Sequence, residues 1–257
     1  MTTCAGTKVS LVLLPGMLCD WAYWHEQEVA LADICDVLIP SYGELNTITA
    51  MAEHVLARAA ARFVVCGHSM GGRIVLEIYR LAPERVLGIG LFGTAYRAPE
   101  SDAEREGELQ RLSAQADRAE ELGMRAFGHE WALRLLPAQR RGDEALVAAI
   151  TEMVARQSPA IIRAQAHAGA TRREYSDLLP QIRVPAFIGA GALDVLRELG
   201  PHQEMAAAIP NARLVVIPAA GHMMSMERPR ETSAAIRSWL SETVLTAAER
   251  RDSPPSQ

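Results

Sequence analysis

The sequence predicts an α/β fold, a mostly parallel sheet with helices on both faces. Three observations carry that expectation. Six short runs rich in Val, Ile and Leu recur along the chain without polar alternation, as strands buried on both faces require. Each run ends at proline or glycine. Helix-period segments separate most of them, and strands that alternate with helices pair in parallel.

In order, VSLVLL (9–14) precedes Pro15-Gly16, DVLI (36–39) precedes Pro40, and FVVC (63–66) precedes Gly67. VLGIGLF (86–92) then meets Gly93, AFIGA (186–190) meets Gly191, and RLVVI (213–217) meets Pro218. Helical periodicity covers Thr47 to Ala61, Gly71 to Leu81, Pro201 to Ile209 and Glu227 to Leu245. The stretch 97–183 has no strand pattern. Its EGELQRLSAQADRAEELGMRAF and DEALVAAITEMVARQ carry apolar residues at three- and four-residue spacing, which predicts a helical cap inserted between two late strands. Residues 1–96 and 184–245 then make the core, and the polar, proline-containing 246–257 reads as a flexible tail.

Composition removes several classes of function. The chain of 257 residues has a formal net charge of −5, which disfavours a general nucleic-acid surface. Lys8 is the only lysine and lies at the start of a strand, so a Schiff-base mechanism has almost no candidate. Cys4, Cys19, Cys35 and Cys66 lack paired spacing, which suggests neither a zinc site nor a disulfide framework and fits a reducing compartment. The first apolar run is too short for a signal peptide, and none approaches the ~20 residues of a bilayer span. The expectation is a cytoplasmic protein without membrane or nucleic-acid partners.

Several motifs fail on context. GIGLFG (88–93) matches a dinucleotide fingerprint in letters but lies inside a strand instead of opening a helix. HEQEV (25–29) and HEWAL (129–133) place Val29 and Leu133 where a zinc protease needs its second histidine, so no metal is expected. VVCGHSMGG (64–72) lacks the Lys-Ser/Thr ending of a phosphate loop.

Within that last stretch, Gly67-His68-Ser69-Met70-Gly71 fits G-x-S-x-G between a strand and an amphipathic helix. There a serine takes a strained turn that projects its hydroxyl, and the flanking glycines give clearance. A serine nucleophile needs a base and a group to orient that base. Of seven histidines, only His222 lies in a loop just after the last strand, in RLVVIPAAGHMMSMERP. The loop after AFIGAG supplies Asp194, again beyond a strand's carboxyl end.

Together LLPGMLCDWAYW, VVCGHSMGG, GAGALD and AAGHMMSMERP resemble the α/β-hydrolase superfamily over essentially the whole chain, near small bacterial carboxylesterases, enol-lactone hydrolases and acyl-carrier methyl esterases. The resemblance implies an α/β-hydrolase fold with a sheet shortened to about six strands. It implies Ser69 as nucleophile, His222 as base and then acid, and Asp194 as orienter. The backbone N–H groups of Met17 and Met70 would form the oxyanion hole, although Pro15 stands where relatives often have histidine. The implied reaction is hydrolysis of a small-molecule carboxylic ester or lactone through an acyl-enzyme, with no cofactor. Thioesterase, C–C hydrolase, perhydrolase and acyltransferase reactions use the same triad and stay as alternatives; a hydroxynitrile-lyase-like enzyme or a non-catalytic receptor are further rivals. Trp21, Met223 and Met224 are expected to line an apolar pocket, and Trp24 to pack in the core.

Overall fold

The computed structural model describes residues 8–245, so Cys4 and the expected tail at 246–257 lie outside the described residues. The sheet contains β1 (Val9–Leu14), β2 (Cys35–Leu38), β3 (Phe63–His68), β4 (Val86–Phe92), β5 (Ala186–Gly191) and β6 (Ala212–Ile217). Every neighbouring pair is parallel, in the spatial order β2-β1-β3-β4-β5-β6. After β2 the chain crosses back to the other side of β1. That reversal opens a crevice at the carboxyl ends of β1 and β3, the place where ligands bind in open parallel sheets.

The helices are α1 (His25–Leu31), α2 (Ile48–Leu56), α3 (Met70–Leu81), α4 (Asp102–Leu122), α5 (Met124–Leu135), α6 (Glu144–Ala155), α7 (Pro159–Ala170), α8 (Leu199–Ala208), α9 (Met224–Glu227) and α10 (Pro229–Trp239). Alternate strand residues feed two separate cores. Leu11, Leu13, Val64 and Cys66 pack on one face of the sheet with Leu31, Ile236 and Trp239. Val12, Leu14, Phe63 and Val65 pack on the other with Met51, Val55, Ile74 and Ile78. Burial on both faces is why the central strands β1, β3, β4 and β5 carry no polar alternation, while the edge strands β2 and β6 are partly exposed. Among the described residues no single helix is long and apolar enough to cross a membrane.

Most helix ends fall within two residues of expectation, and three places differ by more, each for a physical reason. The segment starting at Thr47 stops at Leu56, where the Arg85 guanidinium donates to the carbonyls of Leu56, Ala59, Ala60 and Ala61 and satisfies a chain leaving the helix. Gly123, at φ +79°, separates α4 from α5 within what reads as one helical stretch. Pro229 starts a new helix after α9, so the C-terminal helix is broken and then closes in a π-helical segment, Leu240–Leu245.

A buried carboxylate ties α2, α3 and the chain before β5 together. Glu77 is fully buried on α3 and accepts hydrogen bonds from Thr49, Tyr175 and Arg80. Burial alone would push its carboxyl up, but the hydrogen bonds from Arg80, Thr49 and Tyr175 outweigh that and hold it below the usual range. Glu77→Ala is expected to destabilise by about 3 kcal/mol, because it strands the buried Tyr175 hydroxyl and the Arg80 charge. Melting should fall by roughly 10 °C. A group with a depressed folded pKa stabilises above its unfolded value and loses that effect as pH falls through the folded one. The gap between wild type and variant should therefore narrow on acidification, which thermal melts between pH 7 and pH 3 would check.

Candidate active site

Ser69 is the hinge between β3 and α3, with φ 52° and ψ −111°, a left-handed backbone that only strong local constraint holds in a non-glycine residue. Its N–H donates to the Phe92 carbonyl at 2.8 Å, and its carbonyl accepts from the Thr94 hydroxyl at 2.6 Å. The neighbouring glycines are there for clearance. A Cβ at Gly67 would lie 2.2 Å from the Gly71 carbonyl oxygen, and one at Gly71 would lie 2.3 Å from that of Leu14. The chain therefore folds tightly enough to aim the Ser69 side chain into a cavity of about 390 Å³ above the sheet.

His222 and Asp194 come from the loops after β6 and β5. His222 Nδ1 is 2.8 Å from Asp194 Oδ2, and both residues are buried. The second carboxylate oxygen, Oδ1, accepts from the N–H groups of Leu196 and Arg197 at 2.8 and 2.9 Å. Burial would raise this carboxyl, but the His222 ring and the two loop N–H groups outweigh it and hold it below the ordinary aspartate range. His222 and Ser69 line the same cavity. A hydroxyl, an imidazole and an ionised carboxylate thus follow the carboxyl ends of β3, β6 and β5, with β4 between β3 and β5 in the sheet.

Met17 and Met70 flank Ser69 in an adjoining cavity, and neither backbone N–H has an acceptor among the described residues. Met70 opens α3, where the first N–H groups are unpaired by construction. The β1–α1 loop that carries Met17 is pinned from above, since the Leu18 N–H donates to Gln165 Oε1 on α7 at 2.8 Å.

Of the three residues expected to line the pocket, Met223 does so. Met224 does not: it opens α9 and is fully buried in the core. Trp21 is also displaced. It is 53% exposed, sits edge-on to His25 under the Arg156 guanidinium, and borders a separate small cavity. Trp24 packs fully buried against Phe92.

Four supporting residues escape sequence reading. His68 is buried, stacked on Tyr23, and its Nε2 meets the His222 carbonyl at 2.9 Å. Burial, with His222 alongside, pushes its ring well below the usual histidine range, so it stays neutral. Glu227 on α9 accepts from the N–H groups of Gly221 and Met223, on both sides of His222. Gly93, at φ +50°, passes beneath the pair: a Cβ there would lie 3.4 Å from Asp194 Oδ2 and 3.5 Å from His222 Nδ1. Thr94 braces the serine turn through the bond already described. Only the glycine after a strand carries a local signal; the others are recognised by contacts across the chain.

A model of the alpha/beta hydrolase family matches residues 11–235. A pimeloyl-[acyl-carrier protein] methyl ester esterase from Nitrosomonas europaea is 26% identical over 88% of this chain and 93% of its own length. A malate-bound thermophilic esterase from Thermogutta terrifontis superposes with a TM-score of 0.81 at 28% identity, over 93% of this chain and 92% of that one. The enol-lactonase from Burkholderia xenovorans shares the fold, with a TM-score of 0.78 at 23% identity over 93% of this chain and 94% of that one.

Proposed function

The chain is an enzyme of the α/β-hydrolase family, and from that premise we propose that it hydrolyses a carboxylic ester or lactone of a small molecule through an acyl-enzyme on Ser69. The observation that carries this reading is the bond between His222 Nδ1 and Asp194 at 2.8 Å, made at the rim of the cavity that Ser69 enters from its strained turn. The similarity to an esterase and to a methyl ester esterase supports the same reaction class.

In the first half-reaction His222 takes the Ser69 proton as the oxygen attacks the carbonyl carbon. The carbonyl oxygen becomes an oxyanion that accepts from the N–H groups of Met17 and Met70. Collapse expels the alcohol, which leaves with the proton held by His222. Water repeats the sequence in reverse roles and frees the acid and the serine. Asp194 stays ionised throughout and stabilises the imidazolium. Residues 97–183 act as a cap over a core that includes 8–96 and 184–245, and its α4 and α5 supply Leu112, Trp131 and Leu135 to the pocket wall.

An organophosphonate ester mimics the tetrahedral intermediate and should add to one residue. Intact-protein mass spectrometry followed by peptide mapping is expected to find the adduct on Ser69. An adduct elsewhere, or none on folded protein, would remove the acyl-enzyme and favour a lyase or a receptor.

A further inference from the structure

Ser69 lies where two cavities of unequal polarity meet, and both are bordered by Met17, Ser69, Arg111, Leu112 and Arg197. The first adds the apolar side chains of Trp131, Leu135, Leu196 and Met223, with Arg134 as a further cation at its wall. The second, of about 280 Å³, is lined by Arg73, Arg111, Arg172 and Arg197, with Glu108 its one carboxylate. That accumulation of cations occurs in a chain whose net charge is −5.

Their partners are unequally distributed. Arg172 is occupied: it holds Glu108 at 2.6 Å and the carbonyls of Gly169 and Arg97 at 2.7 and 2.8 Å. Arg73, four residues beyond Ser69 on α3, is only 6% exposed and has no hydrogen bond or ion pair from its side chain among the described residues. Among the described residues Arg197 keeps a buried Nε without a partner, and its one side-chain bond is to the neighbouring Leu196 carbonyl. Arg111, on the exposed side of α4, has no ion pair among the described residues. Burial, and repulsion from Arg172 and Arg197, pull the Arg73 guanidinium well below its usual range. Glu108 pulls the other way but is already held by Arg172, and a buried guanidinium with no hydrogen-bonded counter-charge of its own is unfavourable in the empty protein. It becomes favourable when a planar oxyanion group accepts its forked donors.

We propose that the second cavity is an anion subsite, in which Arg73 and Arg197, with Arg111 above them, hold a carboxylate or phosphate carried by the ester substrate. The claim about the substrate rests on Ser69 being the nucleophile; the claim that an anion binds does not. Since the scissile carbonyl must sit at the junction, the substrate has one apolar limb and one anionic limb on opposite sides of it. A half-ester of a dicarboxylic acid, or a lactone with a pendant carboxylate, has that form. An ester with two neutral limbs leaves the arginines unpaired.

Two measurements on the full-length protein test this. Steady-state kinetics would compare monoalkyl with dialkyl esters of succinate, glutarate and adipate. Wild type should favour the half-ester in kcat/KM by at least ~20-fold, the range expected for charge-assisted hydrogen bonds. Arg73→Gln and Arg111→Gln should each shrink that ratio at least tenfold, with Arg73→Lys between them and wild type. Thermal melts with glutarate and with inorganic phosphate form the second arm. One or both anions should raise the melting temperature of wild type and not of Arg73→Gln, and which anion does so identifies the source of the charge. Arg111→Gln, at an exposed helix position, keeps the test decisive if Arg73→Gln does not fold. Ester turnover through Ser69 with no half-ester preference and no anion-dependent melting would overturn the subsite. An Arg73-dependent anion shift without turnover of any ester would instead retain the subsite and remove the hydrolase reading.

Discussion

Ser69→Ala is expected to lower kcat for ester hydrolysis by about 10⁴- to 10⁶-fold, with folding intact. The size follows from what is lost and what survives. Only the hydroxyl goes, and with it the covalent route. The free N–H groups of Met17 and Met70 and both cavities stay, so substrate still binds and a small residual rate through water persists. Stability should change little, because every bond that holds the turn uses the Ser69 backbone: its N–H to Phe92 and its carbonyl to Thr94 and Gly72. Alanine meets the same strain at φ 52° as serine does, so the variant gains no relief. Turnover of p-nitrophenyl esters of increasing chain length, measured beside a thermal melt, would check both halves. Equal rates in the two proteins would end the assignment of Ser69.

The strands were legible because the central ones, β1, β3, β4 and β5, are buried on both faces and each run meets a proline or glycine near its end. All six expected runs match observed strands to within a residue or two, and the shifts are informative. β3 runs on through Gly67 to His68 and β5 through Gly191 because a glycine at either place lets another backbone come close: a Cβ at Gly191 would lie 2.3 Å from the Gly221 oxygen. In sequence these glycines look like the end of a strand, whereas in space they are where the site is assembled. Helix ends were less legible. Arg85 ends α2 from 29 residues away in the chain, a distance no window of periodicity covers.

The same distinction governs the site. Ser69, Asp194 and His222 could be chosen because parallel strands put their carboxyl ends on one edge, so position after a strand stands in for position in space. His68 had no such marker. It adjoins the serine in sequence, but its use lies in a bond to His222, 154 positions on. Arg73 was hidden for the opposite reason: on α3 it occupies a buried position among Ile74, Val75 and Ile78, where periodicity predicts an apolar residue. A charge placed against the pattern of its helix, with no side-chain hydrogen bond among the described residues, is the type of local inconsistency that functional sites produce. Trp21 and Met224 mark the reverse error. Size and apolarity suggested a pocket, but neither property fixes which way a loop residue faces.

The second large effect is expected from Asp194→Asn, a fall in kcat of about 10³- to 10⁴-fold with almost no change in melting temperature. The loop after β5 dictates the result. Leu196 and Arg197 both donate backbone N–H groups to Oδ1, so the amide of an asparagine must turn its oxygen towards them. Its NH₂ then faces His222 Nδ1, where the carboxylate accepted a hydrogen bond at 2.8 Å. Two donors cannot share that hydrogen bond, so Nδ1 gives up its proton and the neutral ring carries it on Nε2 instead. Nε2 is the nitrogen that must accept from Ser69, and a protonated nitrogen cannot. The imidazole remains in place, anchored by His68 at its carbonyl and by Glu227 at the N–H groups on either side. The variant should therefore look folded and still bind a half-ester, while its adduct with organophosphonate forms orders of magnitude more slowly. Heteronuclear NMR of the His222 ring would report the tautomer directly: protonation at Nδ1 in wild type and at Nε2 in the variant is the expected result. A variant that keeps Nδ1 protonated, or retains more than about a tenth of wild-type kcat, would mean that Asp194 does not orient the base.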